Sequence, residues 1–230
     1  MGAEIGAVAA EAAAEADDRR ERVTGDETFQ GGFVCLSPAG AGDMGPIVCE
    51  SQINPVLPAF HFSLAWHLDP QNRDRVIDSI SIRQKGKAAP FQVISDTGSS
   101  AIQEIDNNGF EMIDVDFDGY LDMRLIAQIA AGPNVLYRNW LWSKDEMRFV
   151  ENAALDEIVS PDFDPETQEI LSRWRSSAAE GGVDVYTWDG ATPVLIHREA
   201  DRYDGPARCT RTFFDRIGGE LRKTGEGTCT

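Results

Sequence analysis

The alternation of apolar and polar residues is the feature that most constrains the fold of this chain. From Gly31 onward, apolar residues mostly recur at every second position, and turn-forming residues interrupt the pattern about every ten positions. A period of two places successive side chains on opposite faces of a strand, whereas an amphipathic helix needs a period near 3.6. The pattern therefore predicts an all-β domain, either an antiparallel sandwich or a strongly twisted sheet pair.

The segments with this alternation are short and closely spaced. Those that we expect to form strands are residues 60–67, 76–83, 91–94, 109–113, 123–130, 135–142, 147–150, 170–175, 183–188, 193–198, 208–214 and 220–223. Turn residues at 144–146, 189–190 and 218–219 lie between neighbouring segments and predict hairpins. Two connecting segments, 153–159 and 166–171, are expected to form short helical turns.

The chain has 230 residues, and no Pro/Ser-rich linker divides its interior. We therefore predict one β-rich domain at residues 30–230. Residues 1–29 combine an alanine-rich stretch with a charged run and have almost no hydrophobic face, so we expect a flexible tail or a processed leader there.

Charge and motif content exclude several functions. The formal net charge of −18 opposes binding to nucleic acid and to anionic lipid, and it favours a cationic partner unless the acidic residues serve only solubility. No apolar run approaches the roughly 20 residues of a membrane span. The sequence has no Gly-x-Ser-x-Gly, HExxH or P-loop pattern, so we expect no enzymatic activity, although a pair of carboxylates could still serve a glycosidase.

The four cysteines indicate the compartment. Cys35, Cys49, Cys209 and Cys229 form no CxxC pair, and their even number allows three disulfide connectivities. We favour Cys35 with Cys49 and Cys209 with Cys229, because short intervening segments meet most readily. Disulfides require an oxidising compartment, so the pattern predicts a periplasmic or secreted protein. The alternative is four free, buried thiols in a cytosolic protein.

One loop has the spacing of a calcium site. Aspartates occupy its positions 1, 3, 5 and 9 and a glycine its position 6, and the residues expected to supply oxygen ligands are Asp114, Asp116, Asp118, the carbonyl of Tyr120, and Asp122. Such closely spaced carboxylates repel one another unless a cation neutralises them, and Ca²⁺ accepts six to eight oxygen ligands. Position 12 is Leu125 instead of the EF-hand glutamate, so we predict a strand-loop-strand site with a structural Ca²⁺. The alternative is an acidic turn that binds nothing.

Two further segments could contact a partner. Trp140 and Trp142 share one face of a predicted strand and Leu141 takes the other, which fits either core packing or an exposed surface for a glycan or protein. The small residues around Ser176 and Ser177 predict a long, flexible hairpin tip ahead of Tyr186, and the alternative is an ordinary loop.

Taken together, the aspartate loop, the aromatic run at 137–142 and the Ser/Gly segment before Tyr186 resemble the periplasmic lysozyme-inhibitor-like proteins. That family is related to the i-type lysozyme inhibitor and includes immunity proteins against secreted peptidoglycan hydrolases. The resemblance, which covers residues 105–205, implies an antiparallel β fold with bound calcium, periplasmic location, and a loop that enters the cleft of a glycoside hydrolase.

The resemblance leads to one main functional expectation and one alternative. The chain is expected to block the active-site cleft of a basic, lysozyme-like peptidoglycan hydrolase, with Ser176, Ser177, Tyr186 and Trp140 as candidate contacts. The alternative is a calcium-stabilised adhesion or carbohydrate-binding module, which would need Trp140 or Trp142 exposed beside a shallow groove.

Overall fold

The structure, a computed structural model, describes residues 33–36, 45–100, 109–130, 133–205 and 208–229. The tail expected at residues 1–29 lies outside these ranges, and the boundary at residue 30 stays a prediction. Among the described residues, no helix has the length and apolarity that a membrane crossing requires.

Three antiparallel sheets contain the strands of the described residues, and in each sheet the strands are adjacent in chain order. The first sheet consists of β1 (Phe33–Leu36), β2 (Ile47–Ser51), β3 (Phe60–Leu68), β4 (Arg75–Gln84) and β5 (Gln92–Ile94). The second consists of β6 (Glu111–Ile113), β7 (Asp122–Ile129), β8 (Val135–Ser143) and β9 (Arg148–Glu151). The third consists of β10 (Pro161–Asp164), β11 (Glu169–Ser177), β12 (Glu180–Asp189), β13 (Thr192–Tyr203), β14 (Cys209–Ile217) and β15 (Glu220–Thr228).

The all-β antiparallel prediction is confirmed. Three short strands, β1, β2 and β10, were not expected; β10 carries Asp162 and Asp164, which hide the apolar alternation. The helical turn expected at 166–171 is wrong, because Ile170 is buried as part of β11. The other expected helical turn, at 153–159, is confirmed, because a short helix, α1 (Ala153–Asp156), lies within it.

The first and second sheets form a sandwich around the larger core. Phe60, Phe62 and Ile80 from the first sheet pack against side chains of the second sheet, among them Met123, Leu125, Trp140, Trp142 and Phe149. Ring contacts join the two layers, and the ring centroids of Phe60 and Trp142 lie 5.5 Å apart. Burial of this aromatic set supplies the main apolar stabilisation of the sandwich.

A second, smaller core lies on the other side of β8. Leu141 packs there with residues from α1 and the third sheet, while its neighbours Trp140 and Trp142 enter the larger core. Both faces of β8 are therefore covered, which decides between the two alternatives in favour of core packing. The buried members of the second core are Val115, Leu155, Ile158, Phe163 and Ile170.

The outer strands of the third sheet differ from the rest of the fold. Within the described residues, no side chain of β13, β14 or β15 is fully buried. Both faces of this part of the sheet are thus partly open to solvent.

Both expected disulfides are present. Cys35 and Cys49 are direct cross-strand partners of β1 and β2, and their sulfur atoms are bonded. Cys209 is bonded to Cys229 at the far end of the third sheet, where the amide of Cys229 also donates to the carbonyl of Cys209 at 3.3 Å. The two bonds indicate a protein of a non-cytoplasmic compartment.

Candidate functional site

The aspartate loop connects β6 to β7, as the sequence predicted. Three of its carboxylates converge: one oxygen each from Asp114, Asp116 and Asp118 lies within 4.8 Å of the others. Backbone amides hold them there, since Asp114 accepts from the amides of Asp118 at 3.1 Å and Gly119 at 3.0 Å. Three converging carboxylates supply hard oxygen ligands of the kind that Ca²⁺ prefers.

The backbone of the loop turns sharply at two residues. Phe117 has a φ of 62° and Gly119 a φ of 85°, so both adopt the left-handed conformation. Glycine accepts this conformation at no steric cost, but phenylalanine does not. The Phe117 side chain packs against the second core, and this contact offsets the strain.

The two flanks of the loop are anchored in different cores. Val115 is buried in the second core, and its carbonyl accepts a hydrogen bond from the Trp188 indole at 2.9 Å. Tyr120 and Leu121 pack against the first core, and the amide of Leu121 donates to the carbonyl of Ile53 at 2.8 Å. The loop thus lies between the two cores, and its conformation is coupled to both.

Asp122 is buried, whereas the other three aspartates are partly exposed. It is 1% exposed, and its two oxygens accept hydrogen bonds from the amides of Val115 at 3.0 Å and Trp142 at 2.7 Å. It is not one of the three carboxylates that converge. Its hydrogen bonds tie the loop to β8, and its role as a ligand, like that of the Tyr120 carbonyl, stays a prediction.

The electrostatics of the loop favour a cation. Burial, reinforced by repulsion from Asp118 and Asp114, raises the pKa of Asp116 to about 6. Burial also raises the pKa of Asp114, and it holds the pKa of Asp122 well above its usual range. A carboxyl group whose pKa is raised by folding makes the folded state less stable as the pH rises and the group ionises. A bound cation would offset this loss of stability.

One basic residue near the loop was not found by sequence reasoning. The Lys144 ammonium lies 3.0 Å from Asp118 Oδ2 and 4.8 Å from the centre of the Tyr120 ring. Lys144 belongs to the turn between β8 and β9, far from the loop in the chain, so no local pattern could indicate the contact. Lys144 neutralises part of the charge, but one ammonium does not balance the three converging carboxylates.

The converging Asp201, Cys209 and Cys229 do not form a second metal site. Their two sulfur atoms are joined in the disulfide and have no thiolate to donate.

A solved structure shows the same architecture. The structure of a Xanthomonas type IV secretion system related protein matches with a TM-score of 0.58 and 17% sequence identity, over 83% of this chain and 98% of that chain. The two chains share a fold. Comparisons with protein-family models and with curated proteins gave no match.

The candidate partner contacts lie in separate places. Trp140 is 3% exposed and Trp142 is 4% exposed, so both belong to the core and neither presents a surface. Ser176 and Ser177 lie at one end of the third sheet. Tyr186 lies at the other end of β12, where it packs against the second core.

The tip between β11 and β12 is short, so its expected length is wrong. β11 runs to Ser177 and β12 starts at Glu180, so only Ala178 and Ala179 separate the strands. The tip is tightened by side-chain hydrogen bonds, including one from the Ser176 hydroxyl to the Glu180 carboxylate at 2.9 Å. Small residues favoured a tight hairpin here because their side chains do not obstruct close pairing.

Proposed function

We propose that this chain is a periplasmic inhibitor or immunity protein that blocks the active-site cleft of a basic, lysozyme-like peptidoglycan hydrolase. The observation that carries the proposal is the fold shared with a protein related to a type IV secretion system, over nearly the whole of that chain. An antagonist of a periplasmic wall-degrading enzyme would have to work in an oxidising compartment. Two disulfides are consistent with that compartment.

In this proposal Ca²⁺ is structural. Asp114, Asp116 and Asp118 would hold the ion, with Asp122 and the Tyr120 carbonyl completing the set. The loop spans two cores, so the ion would stabilise the scaffold that carries the inhibitory surface. The chain itself is proposed to have no hydrolytic activity.

The contact would use exposed residues of the third sheet. Ser176 and Ser177 lie at an exposed tip, and Tyr186 is partly exposed. The burial of Trp140 and Trp142 removes the surface on which the carbohydrate-binding alternative depends. The net charge of −18 would speed encounter with a basic hydrolase and make association slower at high salt.

The test is a turbidity assay with peptidoglycan and a panel of lysozyme types, in the presence of Ca²⁺. The expected result is inhibition of at least one basic member and no turbidity loss from the chain alone. The rate of association, measured by stopped flow, should fall as salt rises. Inhibition of none of the panel, together with binding to chitin or peptidoglycan fragments, would contradict the proposal.

A further inference from the structure

A buried carboxylate organises one face of the third sheet. Asp184 is 3% exposed, and its oxygens accept from Arg198 Nε at 2.7 Å, Arg198 Nη2 at 2.6 Å and Trp174 Nε1 at 3.0 Å. The Tyr186 hydroxyl donates the fourth hydrogen bond to it, at 3.3 Å. One carboxylate therefore fixes the positions of a tryptophan, a tyrosine and an arginine, which we call the Asp184 node.

The indole of Trp174 is held against the sheet. Gly182 lies opposite Trp174 on β12, and a Cβ at Gly182 would come within 2.8 Å of the indole. The Arg198 guanidinium lies 5.6 Å from the ring centre. The absence of a side chain at Gly182 thus lets the ring lie close to the backbone, and the hydrogen bond from Trp174 Nε1 to Asp184 restricts the rotation of the ring.

The node is accessible. Trp174 and Tyr186 are partly exposed, and 36% of the Arg198 side chain is exposed. Strand β13, which carries Arg198, and the strands β14 and β15 beyond it have no fully buried residue in the part of the chain that the structure describes. Buried hydrogen bonds hold these three side chains from below while their outer surfaces stay open.

We infer that Trp174, Tyr186 and Arg198 form the centre of the contact with the hydrolase, an inference that rests on the proposed function and adds Trp174 and Arg198 to the contact set. Tryptophan, tyrosine and arginine are the residue types that carry most binding energy at protein interfaces. Side chains that are already immobilised lose little entropy on binding, so the node is preorganised for contact.

The Arg198 guanidinium is the member of the node that suits the cleft of a glycoside hydrolase. Arg198 uses Nε and Nη2 on Asp184, and its side chain still stays 36% exposed. Glycoside hydrolases present two carboxylates in the active-site cleft. A partly exposed guanidinium complements such a cleft, while the acidic remainder of the chain complements the basic body of the enzyme.

The test compares three conservative variants with a matched control. Trp174→Phe keeps an aromatic ring, Arg198→Lys keeps the charge, and Tyr186→Phe removes only the hydroxyl. The control is Trp66→Phe in the first sheet, because Trp66 also lies against an arginine, with Arg75 at 4.5 Å, and also donates its indole hydrogen bond, to the carbonyl of Gly45 at 2.9 Å.

The measurements are the inhibition constant in the turbidity assay and the melting temperature of each variant. We expect Trp174→Phe and Arg198→Lys to weaken inhibition about tenfold or more, and Trp66→Phe to leave it unchanged. If all three node variants inhibit the hydrolase as strongly as the native chain does, the inference is overturned and the proposed function still stands. Equal weakening by Trp66→Phe would also overturn it, and a native chain that inhibits nothing would overturn both.

Discussion

At the scale of single residues, the aspartates of the β6–β7 loop divide into two groups. Asp114, Asp116 and Asp118 converge at partly exposed positions, whereas Asp122 is buried and holds backbone amides. The negative charge of the first group needs neutralisation, and the Lys144 ammonium neutralises only part of it. Asp122 connects the loop to β8, so binding of Ca²⁺ in the loop should affect the stability of the whole sandwich.

Asp116→Asn is expected to remove most of the calcium-dependent stability. An ion at about 100 times its dissociation constant would contribute about 2.7 kcal/mol to the native chain. For a domain of this size, such a loss lowers the melting temperature by roughly 5–10 °C. Thermal melting with Ca²⁺ and with a chelator measures the effect. The control is Asp145→Asn, which removes an exposed carboxylate in the β8–β9 turn. If Ca²⁺ raises the melting temperature of the Asp116 variant as much as that of the native chain, the result counts against the site.

At the scale of elements, close packing between strands sets the limits on substitution in the third sheet. Gly182 lies between the Trp174 indole and the backbone of β13. A Cβ there would come within 2.1 Å of the carbonyl oxygen of Glu199, a backbone atom that cannot move without disturbing the pairing of β12 with β13. The glycine is therefore required by the neighbouring strand, not by its own backbone conformation.

Gly182→Ala is expected to destabilise the chain by about 1–3 kcal/mol, the usual cost of overpacking. Gly227→Ala is the matched control, since Gly227 is also a strand glycine and a Cβ there would meet no atom within 4 Å. Urea unfolding of both variants measures the difference. Equal stability of the two variants would show that the third sheet can shift to accept the extra carbon.

At the scale of the whole molecule, two disulfides tie the ends of the described chain into their sheets. Cys35–Cys49 closes the edge of the first sheet, and Cys209–Cys229 closes the end of the third. The outer strands β13 to β15 lack fully buried residues, so their stability depends on strand pairing and on this second covalent bond.

The double variant Cys209→Ser with Cys229→Ser is expected to lose about 3 kcal/mol of stability, the loop-entropy value for a loop of this size. Cys35→Ser with Cys49→Ser provides a comparison in the other sheet.

Alkylation of the native chain before reduction, read by mass spectrometry, should label no thiol. Four labelled thiols in the unreduced native chain would place the protein in a reducing compartment.

The sequence by itself determined the features that depend on local spacing. Alternating residues predicted most strands, the aspartate spacing predicted the loop between β6 and β7, and short separations predicted both disulfides. Opposite faces for Trp140 and Leu141 also followed from the period of a strand.

Only the tertiary structure decided which of these residues are accessible and which distant residues meet. The sequence could not show that Trp140 is buried or that Lys144 contacts Asp118. Nor could it show that Trp174 and Arg198, on the two neighbouring strands, both donate hydrogen bonds to Asp184. Strand periodicity gives the face of a side chain but not what covers that face. Contacts between strands depend on register and on sheet packing, which short-range patterns do not specify.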